Sequence, residues 1–387
     1  MASGMVGASA QSTEASGGAS GGVSGGASGG ASGGVSGEPA ARSGSVYPWL
    51  FNAPLDLFAF LGSTALAFGL LAMGEPLGLL EDGTPDWLWV ATILMIDVAH
   101  VYATGFKVYF VPEELRRHPW LYGLTPLLGF AISWLLYQQG AMVFWRALAY
   151  LAVFHFVRQQ YGWMALYRAK EGDTERIGWW IDTVAIYMAT VYPLVYWHTH
   201  LPRKFFWFTQ GDFVALPGWL SQVAAAIYWI AMVAYAIRVA VRAGRDQRIN
   251  PGKEIMFVST VLCWYVGIIV FDSDYAFTVT NVITHGVPYL VLVYWIQRRD
   301  AAPGSSKLGN RWIHYLAVLW GLAYLEEFLW DVGVWHDRSW LFGTPQDWTS
   351  IHAVLVPLLA VPQITHYVLD GFIWKRRARE HAAPRSL

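Results

Sequence analysis

The chain has 387 residues, 55% of them hydrophobic and only 14% charged, with a mean hydropathy of +0.35. Soluble domains carry about 25% charged residues, so the composition argues against a soluble enzyme, and the 22 Trp fit a protein that meets membrane interfaces. The formal net charge of −1 argues against a nucleic-acid partner, and the single Cys263 excludes a disulfide framework and a cysteine-based zinc site.

In chain order, residues 1–46 repeat SGGA and SGGV. Such a segment buries too little apolar surface to offset its ordering entropy, so a disordered Gly/Ser/Ala-rich tail is expected. It has no basic start followed by an apolar run, and a signal peptide is not expected. Residues 47–387 form the expected transmembrane helical domain. They break into apolar runs of roughly 18–24 residues, the length that crosses about 30 Å of hydrocarbon as helix. Ten spans are expected: 55–73, 87–106, 120–138, 141–165, 177–197, 219–240, 255–271, 275–297, 312–332 and 351–373. The fold class is therefore all-α, a polytopic integral membrane helix bundle with about ten transmembrane helices. Proline marks many of the joints, as at Pro76, Pro85, Pro119, Pro251, Pro303 and Pro345. The aromatic stretch 198–218 is the longest outer loop.

Basic residues collect on the cytoplasmic side of membrane proteins. With a cytoplasmic N-terminus, the 26 Lys and Arg fall on inner segments apart from Arg146, Arg203, Lys204 and Arg338 outside and Arg158 within a span. This places both termini in the cytoplasm, and the expected location is a bacterial inner membrane.

A polar group inside a span is costly and marks function by default. His100, His155, His285 and His366 lie inside the second, fourth, eighth and tenth spans, which all run from outside to inside. Counting back from the basic residues at their inner ends puts all four roughly 10–20 Å above the cytoplasmic edge. Each has a polar neighbour three or four residues away, on the same helix face. The pairs are Asp97 with His100, His155 with Gln159 and Arg158, Asn281 with His285, and His366 with Asp370. A carboxylate or amide beside an imidazole fixes its tautomer, as partners of metal-bound histidines do. The histidines are thus the expected metal ligands, with Gln159 and Asn281 supporting them and Asp97, Arg158 and Asp370 as catalytic groups. The Gly286–Pro288 stretch is expected to break its helix and free carbonyls beside the site. Arg158 needs an anionic partner, either Asp97, Asp370 or a lipid or substrate headgroup. The plain alternative is a set of interhelical hydrogen bonds. Glu326 and Glu327 read either as a proton or ion path or as a solvated helix end. His198 and His200 form an HxH in a loop, readable as a metal pair on the outer surface or as incidental, and Asp182, about one turn inside the fifth span, is a further group that could face the site.

Imidazoles with carboxylates suit non-haem iron with open positions for oxygen. The expected activity is a membrane oxidoreductase or oxygenase acting on a lipid-soluble substrate, such as an isoprenoid, carotenoid or fatty acyl chain. Membrane lipids surround it, and an electron-donor protein is a candidate partner. A haem-binding electron-transfer protein, a proton-coupled transporter and a lipid acyltransferase with one histidine base are the alternatives.

The segments HYVLDGFIWKRR and HFVRQQYGWMALY resemble uncharacterised bacterial multi-pass membrane proteins that end in an HY-x-x-D-x-x-IW-basic segment. In architecture the chain is also similar to the bacterial retinal-forming β-carotene dioxygenases, membrane proteins whose single histidines on separate helices hold iron. That likeness implies an iron set of His100, His155, His285 and His366.

Overall fold

In the computed structural model, the described residues are 48–81, 83–245, 249–300 and 311–380. The expected tail at 1–46 lies outside them. The described residues are helical, with no strand among them, and eight helices are long and apolar enough to cross a membrane. These are α1 (Ala53–Gly74), α2 (Asp86–Lys107), α3 (Pro119–Gln138), α4 (Ala141–Glu171), α6 (Trp219–Gly244), α7 (Pro251–Val270), α8 (Asp274–Arg299) and α10 (Thr349–Ile373). Two more have the length of a span, α5 (Arg176–Thr199) and α9 (Trp312–Trp330). Their Trp, Tyr and carboxylate residues make them less apolar than the other eight.

Local chemistry sets the ends. Asn52, Asn250 and Ser273 cap α1, α7 and α8 through their side chains, and Pro follows both Asn residues within the first turn. α8 is the most enclosed span, with 83% of its apolar window buried against 22% for α3. A central α8 and a peripheral α3 follow, and α3 keeps Leu128 and Ile132 exposed. α8 packs on α1 and α2, while α10 packs on α2, α3 and α4.

Two π-helical stretches precede functional positions. Val90–Val98 ends just before His100, and Thr278–Val282 ends just before His285. A π turn inserts an extra residue and re-aims the side chains that follow it. Between the two stretches, a Cβ on Gly286 would collide with the Ile96 side chain. Glycine there lets α8 approach α2 closely. The expected break at Gly286–Pro288 does not occur, because the helix runs on through Pro288. Proline crowds the preceding turn, and there Gln159 Nε2 donates to the His285 carbonyl at 2.7 Å.

One end of the bundle is held by a buried ion network. Asp182 on α5 is wholly buried and accepts from Arg168 of α4 at 2.5 Å and from Arg238 of α6 at 2.9 Å. Lys253 of α7, also wholly buried, stands 3.2 Å from Glu171 and 3.7 Å from Asp182. Arg238 also pairs with Asp173, and Arg242 with Glu171. Gly178 makes room for the Arg238 guanidinium, which a Cβ would strike. Asp182 therefore serves this network rather than the histidines.

Candidate metal centre

His100, His155, His285 and His366 come from α2, α4, α8 and α10 and meet in the interior. Each is at most 2% exposed. His285 Nε2 approaches His100 Nε2 at 3.2 Å, and His366 Nε2 approaches His155 Nε2 at the same distance. Ligand atoms of His100, His155 and His285 all lie within 4.8 Å of one another. The His100 and His155 rings are nearly parallel, and His285 and His366 stand nearly perpendicular to His100.

Outside this core, oxygen groups stand near three of the four Nδ1 atoms, one of them at hydrogen-bond distance. His366 Nδ1 lies 2.7 Å from Thr104 Oγ1. His100 Nδ1 is 3.6 Å from Asp97 Oδ1, and His155 Nδ1 is 3.7 Å from Asp370 Oδ2. His285 Nδ1 is buried without a hydrogen bond, and its ring stacks on Phe156 at 3.5 Å. The division is chemically specific. Two lone-pair nitrogens 3.2 Å apart make at best one N–H···N bond, whereas a shared cation uses every lone pair. Imidazole nitrogens held at about 2.0–2.1 Å from one ion stand roughly 2.8–3.4 Å apart, between octahedral and tetrahedral angles. Oxygen groups behind the Nδ1 atoms are the usual support of such ligands. The residues present thus fit a metal ion.

The partners differ in part from the sequence reading. Asp97 adjoins His100 as expected. Asp370 adjoins His155 across the interface with α4, because Thr104 occupies the Nδ1 side of His366. Gln159 Nε2 bonds a backbone carbonyl instead of an imidazole. It joins α4 to α8 through the His285 carbonyl. Asn281 turns toward α7, where its Nδ2 donates to the Cys263 carbonyl at 3.4 Å. Arg158 points to α5 instead of the centre. It donates to the Tyr187 hydroxyl and lies over the Tyr161 ring at 4.8 Å, so a phenol and a π face stand where Asp97 or Asp370 was expected.

Sequence reasoning missed Thr104, Tyr289 and Tyr367. Tyr289 lies edge-on to His100 and His366, with ring centroids at 5.7 and 5.2 Å. Tyr367 stacks on His155 at 4.8 Å. Thr104 and Tyr289 each follow a histidine by four residues, so the helical-face rule already marked them. The Tyr367 stack joins two helices and left no local signal. His198 and His200 do not form a pair. His198 bonds the Leu194 carbonyl and the Tyr150 hydroxyl, and His200 bonds the Tyr196 carbonyl.

Two further features lie along the helices that carry the histidines. An apolar groove of about 320 Å3 lies between α3, α4 and α10, lined by Leu128, Ile132, Leu148, Leu151, Ile364 and Val368 among others. Leu151 is one turn from His155, while Ile364 and Val368 lie two residues either side of His366 and so line the opposite face of α10; none of the four histidines lines the groove. On the other side, Trp207 from the loop after α5 packs edge-on against Phe156 at 4.9 Å. Asp212 fixes that loop by accepting from the Trp207, Phe208 and Thr209 amides.

Compared with known proteins, the chain matches no protein-family model, no curated protein and no solved structure.

Proposed function

We propose that this protein is a membrane-embedded, iron-dependent oxidoreductase or oxygenase acting on a lipid-soluble substrate. The observation that carries the reading is the convergence of buried Nε2 atoms from four helices, with Asp97, Asp370 and Thr104 behind three of them. His100, His155, His285 and His366 would hold the ion. Bound iron would supply oxygen activation. The chain's own groups bind, orient and exclude water. Asp97 and Asp370, 3.6 and 3.7 Å from Nδ1 of His100 and His155, would favour the Nδ1-protonated tautomer once drawn into hydrogen-bond distance, which leaves Nε2 to ligate. Phe156 and Trp207 close the centre on one side with aromatic surface. The apolar groove between α3, α4 and α10, one turn from His155 at Leu151, would accept hydrocarbon, which fits a lipid-soluble substrate entering between helices. Imidazole also suits copper and zinc. Iron is preferred because the resemblance to histidine-ligated membrane dioxygenases points the same way.

Haem ligation is disfavoured. Two axial histidines must stand on opposite faces of a porphyrin, whereas these nitrogens approach within 3.2 Å of each other. In this reading the chain crosses a bacterial inner membrane ten times, with α5 and α9 included and both termini in the cytoplasm. Metal analysis and the visible spectrum of purified protein test the proposal. The expected result is near-stoichiometric iron without a Soret band, lost in His285→Ala. A metal-free wild type, or iron retained in His285→Ala, would overturn it.

A further inference from the structure

Away from the histidines, one buried carboxyl has a hydrogen-bonding pattern that its ionised form does not satisfy. Glu326, near the end of α9, is 4% exposed. Its Oε1 accepts from Trp330 Nε1 and from Gln363 Nε2, each at 3.3 Å. Its Oε2 is buried with no hydrogen-bond partner, and so is the Oε1 of the same Gln363. Among the described residues, no Lys, Arg or His pairs with Glu326. The titratable groups around it are Tyr102 from α2, whose hydroxyl comes near enough to the carboxyl to be the competing donor, Tyr367 from α10 and Glu327 on its own helix. Beyond Glu327 lie Asp97, Asp331 and Arg338.

Two buried acceptors on facing side chains, both unsatisfied, are costly. One proton removes both deficits. An O–H on Glu326 Oε2 donates to Gln363 Oε1, while Gln363 Nε2 donates to Glu326 Oε1, closing a reciprocal acid–amide ring. We infer that Glu326 is a proton-binding site, a neutral carboxylic acid locked by Gln363. The ionised form would set a carboxylate oxygen against an amide oxygen and leave a net charge in an apolar interior. The neutral acid also lets α9 lie in hydrocarbon, which the charged form opposes. Gln363 stands one turn from His366 on α10, so the proton is held beside the histidine centre. The assignment needs no metal there.

Infrared spectra of the full chain in lipid nanodiscs test it, with metal content checked in parallel as a sign of intact folding. At neutral pH the wild type should give a protonated-carboxyl C=O band that shifts in deuterium oxide. Glu326→Gln should remove that band, and Gln363→Leu should raise its frequency. If wild type and Glu326→Gln coincide in this region, Glu326 is ionised, with the Tyr102 hydroxyl as its donor, and the inference falls. Should Glu326→Gln not fold, Gln363→Leu and Tyr102→Phe decide. A shift with Gln363→Leu supports the acid–amide pair, and a shift only with Tyr102→Phe, or none, overturns it.

Discussion

The histidine centre and the ion network at the α4–α5 turn both bury polar side chains among apolar helices, yet they are built in opposite ways. In the network each charge meets its opposite. Asp182 faces Arg168, Arg238 and Lys253, while Glu171 faces Lys253 and Arg242. The charges are paired with one another, although Arg238 Nε has no hydrogen-bond partner, and no carboxylate in the set lacks a cation. At the centre, like meets like, with lone-pair nitrogens opposed at 3.2 Å. Its polar partners stand behind the rings instead of between them. Closed complementarity holds helices together, while an unsatisfied, preformed set of donors suits a ligand.

Substitutions can break this contrast. The largest effect is expected at the centre. His100→Ala, His155→Ala and His366→Ala should each lose bound metal as His285→Ala does, read by elemental analysis. If the four behave independently, the single-site idea fails. Next comes the network. Asp182→Ala leaves Arg168, Arg238 and Lys253 buried together without their shared acid, which should cost about 3–5 kcal/mol in thermal unfolding. Metal content per folded chain should stay unchanged, and a parallel loss would mean that the two regions are one cooperative unit. Asp97→Asn and Asp370→Asn should weaken metal binding by roughly 10–100-fold, as removal of a ligand's supporting group does. Thr104→Val tests the same role at His366.

Acid should separate the regions by sign. Burial is the largest influence on Asp173 and raises its pKa. The Glu175 amide and the Arg168 and Arg238 guanidiniums outweigh it, and the carboxyl is held below the usual range. A depressed folded value means stability that is present above the unfolded value of about 3.9 and lost as pH falls through the folded one. Metal binding needs unprotonated Nε2 and competes with protons, so it should weaken on acidification before the network does. Metal release and unfolding followed in one acid titration check the order. The smallest effect is expected for Arg158→Gln, which removes a bond to Tyr187 and should leave metal content unchanged.

Much of the fold was legible because hydrocarbon imposes a simple rule. Apolar runs must be helical and about as long as the bilayer is thick. The candidate ligands were legible for the same reason, since a histidine at such depth stands out. The supporting contacts were harder to read. Asp97 was visible three residues before His100. Asp370 was read with its own helix, but it faces His155 on another. Gln159 and Asn281 lay on the expected faces, yet served a backbone carbonyl and a neighbouring helix.

The sequence alone therefore determined a helical, apolar chain and which buried residues were anomalous. It did so because burial in a span is a property of each helix separately. Only tertiary structure decided which anomalies meet. That depends on helix order, rotation and closeness, as where Gly286 admits Ile96 and brings His285 to His100. It also decided that Arg158 faces Tyr187 and that Glu326 faces Gln363. A spacing of three or four residues says which side chains share a face, but not what stands opposite that face.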